Sequence, residues 1–258
     1  MDLSTAQLTA WIGSYLWPLF RIGAMLMAAP FFSSNSVPME VRLLLSLAVT
    51  ALVVPIMPEQ VPVDPFTWPA IGLIAQQLLI GIAMGLSLQL VFGAVMIAGA
   101  LIATQMGLAM AAMVDPQNGM QVPVLGQMYT MLTTLLFLIF DTHLLLIELI
   151  VESFHVVPIA VDGLTRGSFL VLAEWGTQMF AGGLWIALPA VASLLVVNLA
   201  FGVMARAAPQ LQIFAIGFPI ATIMGYLVIL YTLPTVVPQT RYLFDSGFDL
   251  IRRILEGG

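Results

Sequence analysis

The 258-residue sequence contains no cysteine and no lysine. Without cysteine, disulfides, iron–sulfur ligation and thiol nucleophiles are excluded, and the redox compartment leaves no trace. Without lysine, all positive side-chain charge rests on seven arginines, against thirteen acids, for a net charge of −6. The acids are scattered, and the one dense basic site, Arg252-Arg253, is too small for a nucleic-acid footprint. Charge of either sign is scarce. Charged residues make up 8% of the chain, where a soluble domain carries about 25%. A soluble fold of this size needs a polar shell, and these residues cannot supply one. Also absent are a Gly-x-Ser-x-Gly elbow, a Walker sequence and a dinucleotide fingerprint, so nothing supports catalysis and no cofactor is expected.

What is present is apolar: 61% of residues are hydrophobic. The solvent for most of the surface is therefore lipid or other apolar protein. A helix needs about 20 apolar residues to cross roughly 30 Å of hydrocarbon. Apolar runs cover residues 8–32, 41–57, 70–113, 128–151, 179–204 and 211–233, and an amphipathic tail covers 241–255. The fold class expected is all-α and polytopic. The start, Met1-Asp2, lacks the basic stretch of a signal peptide, so the first helix is expected to be retained. Five prolines between Pro55 and Pro69 forbid a continuous helix there, and Glu152 to Gln178 reads as a polar amphipathic connector. Residues 70–113 carry neither charge nor proline. Straight, that stretch would measure roughly 65 Å, so it is two helices, a bent helix, or a rod leaving the bilayer. Arginine placement does not resolve the orientation.

Several polar residues stand out. Asp141 and Arg21 each interrupt an apolar run. An ionised side chain there is costly unless paired or wet, so Asp141 is either part of a proton or ion relay or, the favoured reading, a buried partner of Arg21. Glu152-x-x-His155 has the spacing of a di-iron motif, but such sites need two motifs and two more glutamates, and the chain has two histidines in all. No metal site is expected. Glu148, Glu152 and His155 are read instead as marking a helix leaving the apolar layer. Gly81-Ile82-Ala83-Met84-Gly85 is a GxxxG that lets another helix approach closely. Met106, Met110 and Met113 fall at i, i+4 and i+7, one helix face, and run into a loop with Gly107, Asp115, Pro116, Gln117, Gly119 and Pro123. Such a stripe is most often core packing. Unbranched thioethers beside flexible glycines also suit a compressible seal.

Three ordered stretches resemble the FliR family, called SctT in injectisomes. The first holds Phe20-Arg21-Ile22-Gly23, Ala29-Pro30-Phe31-Phe32, Val37-Pro38 and Arg42. The second holds Gln105-Met106-Gly107-Leu108, Met113-Val114-Asp115-Pro116-Gln117 and Val122-Pro123-Val124-Leu125-Gly126-Gln127. The third holds Asn198-Leu199-Ala200-Phe201-Gly202, Arg206-Ala207-Ala208-Pro209-Gln210 and Gly217-Phe218-Pro219. His143-Leu144-Leu145-Leu146, with Ser153-Phe154 and Pro158, adds a weaker match. The chain departs from the pattern at Gln212, often asparagine, and at Asp141-Thr142, where Asn-Gly is usual.

The resemblance implies an export-gate subunit of flagellar type III secretion in the bacterial inner membrane, within the basal body and partly above the bilayer plane. It implies one membrane domain of long, bent helical hairpins, with residues 1–175 FliP-like and 176–258 a FliQ-like hairpin and tail. The partners implied are FliP-like and FliQ-like subunits, an FlhB-like switch protein and the exported unfolded flagellar proteins. Residues 107–126 would be the channel plug. Arg42, His143, Arg206, Pro209, Gln210 and Pro219 would be assembly positions. The competing reading is a small-molecule or ion-coupled transporter, which needs a midplane site built from broken helices.

Overall fold

A computed structural model describes residues 5–33, 37–58, 67–108, 124–160, 163–207 and 213–257. Among the described residues every regular element is helical: α1 (Thr5–Ala28), α2 (Met39–Val53) followed by a 3-10 turn (Val54–Ile56), α3 (Trp68–Gln105), α4 (Val124–Ile139), α5 (Thr142–Val156), α6 (Arg166–Ala207) and α7 (Ile213–Glu256). In an apolar medium helices satisfy their own backbone, and the prolines within α1, α6 and α7 are tolerated where neighbouring groups or local adjustment meet the carbonyl each one frees. Hydroxyls are satisfied the same way: Ser87 Oγ donates to Ala83 O, Thr133 Oγ1 to Tyr129 O and Thr232 Oγ1 to Val228 O.

Among the described residues, four stretches are long and apolar enough to cross a membrane: Met39–Ile56, Trp68–Gln105, Arg166–Ala207 and Pro219–Glu256. The pair α4–α5, bent by 68°, would make a fifth. The chain is an all-α polytopic membrane protein. Residues 70–105 fall within one helix of 38 residues and not in two. The chain differs from the sequence expectation in two places. The polar connector does not separate from the fifth run: α6 starts at Arg166 and continues for 42 residues. The amphipathic tail belongs to α7, 44 residues long, despite Pro234 and Pro238.

The chain divides into two units. Unit 1 comprises Met1–Leu90, Asp141–Gly176 and Phe244–Gly258. Here α2 packs on α1, and α1 crosses α3 at the GxxxG. A Cβ on Gly81 would collide with Arg21 O and sit 2.8 Å from Ala24 Cβ; one on Gly85 would sit 2.8 Å from Met25 O. The two backbones therefore touch, as the motif predicts. At the other side of unit 1, the start of α6 clasps the end of α7: Thr165 Oγ1 donates to Gly257 O at 2.8 Å and Ser168 Oγ to Ile254 O at 2.8 Å. These hydroxyls serve carbonyls that a helix C-terminus leaves orphaned.

Unit 2 comprises Val91–Phe140 and Thr177–Leu243. Its core is built from Val91, Val95, Ile102, Tyr129, Phe137 and Leu194, all buried. Small residues again set the spacing. A Cβ on Gly183 would lie 2.6 Å from Ala94 O, and one on Gly99 2.7 Å from Gly126 Cα. Because the obstacles at Gly81 include backbone, a side chain there cannot be accommodated by rotation alone. Gly81→Val is expected to destabilise unit 1 by about 1–3 kcal/mol, as overpacking does, read as a lower melting temperature of the detergent-solubilised protein; an unchanged melting temperature would refute the close crossing.

Candidate functional site

The helix α3 ends where the candidate plug begins. Its last residue is Gln105, and Met106 N–H and Gly107 N–H close the turn onto Ile102 O and Thr104 O, each at 3.0 Å. Gly107 then adopts φ 77°, a left-handed conformation that glycine takes without Cβ strain and that stops the helix. Two helices hold this end. The α6 amide Asn198 Nδ2 donates to Gln105 O at 3.2 Å, satisfying one orphan carbonyl. On α7, Gly225 provides the seat for Met106: a Cβ there would lie 2.5 Å from both Cε and Cγ of the methionine. Met106 is fully buried. The far end of the segment returns to the same helix, with Leu125 buried and Gly126 against Gly99. Both roots of the segment are thereby pinned to α3.

Of the methionine stripe, Met106 is described: it lies at the end of α3, which Gly107 terminates, and it packs inward. Met110, Met113, Asp115, Pro116, Gln117, Gly119 and Pro123 lie outside the described residues. So do Pro209 and Gln210. Arg42 is half-buried on α2 and His143 half-buried on α5, both in unit 1. Arg206, in the last turn of α6, and Pro219, within α7, are exposed and belong to unit 2.

Arg21 and Asp141 do not pair. Arg21 is wholly buried in unit 1, with its guanidinium otherwise engaged: Nε donates to Gln77 Oε1 (2.8 Å), Nη1 to Ser153 O (2.8 Å) and Oγ (3.1 Å), and Nη2 to Val157 O (2.9 Å). Its carbon Cζ stacks 4.2 Å from the centroid of Phe154. Two of the acceptors are carbonyls at the end of α5, where the helix dipole favours a cation. Asp141 is exposed and not mid-helix. It forms the break between α4 and α5 with φ 53° and ψ 23°, the left-handed region that asparagine, aspartate and glycine tolerate. The usual Asn-Gly at this place has the same conformational logic, a signal that the sequence carried.

The acidic group noted in the sequence is placed on a cleft of about 270 Å³ in unit 1, lined by Glu148, Glu152, Asp245, Asp249, Arg252 and apolar neighbours. Arg252 lies 4.0 Å from Glu152 and 3.6 Å from Asp249, exposed ion pairs of small energetic weight. His155 Nδ1 sits 3.1 Å from Val151 O on its own helix. Asn198, Gly225, Gln77 and Ser153 were assigned no role from sequence. Asn198 and Gln77 had a visible signal, as amides within uncharged parts of α6 and α3.

The fold defines the class of all-α polytopic membrane proteins, and comparison with known proteins specifies it further. The family model described as bacterial export proteins, family 1, matches residues 12–247. The flagellar biosynthetic protein FliR of Escherichia coli strain K12 is 41% identical over 256 residues, covering 99% of this chain and 97% of the relative. The FliR proteins of Pectobacterium carotovorum subsp. carotovorum, 40% identical over the same coverage, and of Aquifex aeolicus strain VF5, 32% identical over 99% of this chain and 98% of the relative, agree. The chain belongs to family 1 of the bacterial export proteins, with the FliR proteins. It is a component of flagellar type III export, and the small-molecule transporter reading is not favoured.

Gly225→Leu should expel Met106 and destabilise by about 1–3 kcal/mol, and Met106→Ala should destabilise by about 2–5 kcal/mol through the cavity it leaves. Thermal melts of the solubilised protein check both, and two neutral substitutions would remove the seat. Arg21→Met strands buried acceptors at about 1–3 kcal/mol each, whereas Asp141→Asn should leave the melting temperature unchanged. Equal losses in the two variants would restore the ion pair.

Proposed function

We propose that this chain is the export-gate subunit that forms, with FliP-like and FliQ-like subunits and an FlhB-like switch protein, the closed channel through which unfolded flagellar proteins leave. The assembly would sit in the bacterial inner membrane, in the flagellar basal body. Residues 1–175 would take the FliP-like part and 176–258 the FliQ-like hairpin and tail; two long consecutive helices, α6 and α7, support the hairpin.

The observation that carries the co-assembly is the apolar length of α6. Large exposed apolar side chains run from Phe180 to Met204 and recur at Phe169 and Leu170, on the far side of the exposed Glu174. From Phe169 to Met204 is about 52 Å of helix at 1.5 Å per residue, against roughly 30 Å of hydrocarbon. Membrane helices tilt by up to about 40°, which does not bring that length into the bilayer. The remainder needs protein cover, and an obligate apolar interface with partner subunits provides it.

Within the channel, residues 107–126 would act as the plug. A plug must block ions at rest, yield to a passing chain and return to the same place. Pinning at Met106–Gly225, Gln105–Asn198 and Gly99–Gly126 supports the last requirement, because both roots of the segment are fixed. Proline at 116 and 123 keeps it from zipping into helix, and glycine at 107, 119 and 126 lets it bend.

Deleting residues 110–119 should leave assembly intact and make the gate leak ions and small solutes, measured as conductance of the reconstituted complex or as loss of membrane potential in cells. An assembled deletion variant with an intact barrier would sink the plug role.

A further inference from the structure

The two roots of residues 107–126 are held by contacts of different kinds. At the second root Gly126 lies against Gly99, backbone on backbone: a Cβ on Gly99 would be 2.7 Å from Gly126 Cα and 2.7 Å from Leu125 O. That contact involves α3 and α4 alone, and no side chain takes part in it. At the first root both partners come from later in the chain. Gln105 O accepts from Asn198 Nδ2 of α6 at 3.2 Å, and Met106 occupies the space that Gly225 of α7 leaves open. All of these residues belong to unit 2.

Both partners sit on the inward faces of their helices. Along α6, Gly183, Ala187, Ala190 and Leu194 are buried at three- and four-residue steps, and Asn198 is the next step on that face. The stripe is apolar as long as α3 lies beside it. It turns polar where α3 stops, and a helix that stops leaves carbonyls in need of donors. Ser193, off that stripe, directs its hydroxyl to Pro189 O of its own helix, whereas the Asn198 amide reaches across to α3. Along α7, Ala221 and Ile229 are buried one turn to either side of Gly225, so the seat for Met106 also opens inward.

The place of these contacts matters more than their strength. Gln105 and Met106 are the last points at which α3 is held before Gly107, whose φ of 77° turns the chain out of the helix. A shift of the carbonyl at Gln105 redirects everything that leaves through Gly107. The second root has no such dependence, because its backbone contact persists whatever side chain stands at position 198.

We infer that α6 and α7 position the first root of the plug segment, with Asn198 as the positioning residue that fixes Gln105. This rests on the plug reading and deepens it: the resting barrier depends on a hydrogen-bond donor in the 176–258 part of the chain as well as on residues 107–126 themselves.

The donor and the shape of Asn198 can be separated by substitution. Asn198→Asp keeps the shape and loses the N–H, and Asn198→Gln keeps the amide on a longer stem. Each variant is purified in the membrane complex with which the chain is isolated and reconstituted in liposomes. Its ion conductance is compared with that of the native gate and of the gate lacking residues 110–119. A neutral hydrogen bond shifts a population by about two- to tenfold, so Asn198→Asp should leak about two- to tenfold more than the native gate while Asn198→Gln stays close to it. Asn198→Leu, with neither donor nor charge, should leak as Asn198→Asp does and replaces it if the carboxylate prevents assembly. If Asn198→Asp and Asn198→Leu are as tight as the native gate while the deletion leaks, the inference falls and the plug stands. A tight Asn198→Asp beside a leaking Asn198→Gln makes shape the determinant and overturns it as well. A deletion that does not leak removes the plug reading, and this inference with it.

Discussion

Contact between backbones is the constraint on which the rest of this structure depends. In lipid, helices gain nothing by hiding apolar surface from water, so they associate through close packing and a few hydrogen bonds. The chain answers with small residues at each crossing described: Gly81 and Gly85 of α3 against α1 in unit 1, and Gly99 against Gly126 and Gly183 against Ala94 in unit 2. Where packing brings carbonyls together without partners, single polar side chains complete it, as Asn198 does for Gln105 and Ser168 for Ile254. The result is a protein whose specificity lies in where side chains are missing.

Arg21 shows how a charge is kept in such a place without an acid beside it. Three kinds of neutral group share it: an amide, a hydroxyl with helix-end carbonyls, and a ring face. Because the acceptors come from α3 and from the end of α5, the cation ties together segments more than a hundred residues apart in sequence. Ion pairing would have joined two points only, and removal of either charge would have stranded the other.

How much of this could be seen in the sequence depends on the range of the interaction. Apolar runs and the GxxxG are local patterns, and both correspond to the helices and the close crossing found. Continuity of α6 and α7 could not be read, since Glu174 or the Pro234–Pro238 pair looks like an interruption when its helix is judged by uniform hydropathy. The pairing expected for Arg21 failed because sequence shows two lone charges but not that one sits at a left-handed break facing outward. Of the methionine stripe only Met106 is described, and a single backbone angle at Gly107 ends its helix there, which spacing alone does not reveal. Gly225, which receives Met106, had no signal at all, because a seat is defined by what fills it.

The two anchors of the 107–126 segment also set a contour length. Met106 is held in its seat, Gly126 is held against Gly99, and along α3 those roots are about 10 Å apart at 1.5 Å per residue. The intervening chain, even fully extended at about 3.4 Å per residue, must go out and come back, so covalent geometry alone bounds its reach to about 30 Å from its base. That limit holds before any partner or cargo is considered, and lengthening or shortening the segment would change it.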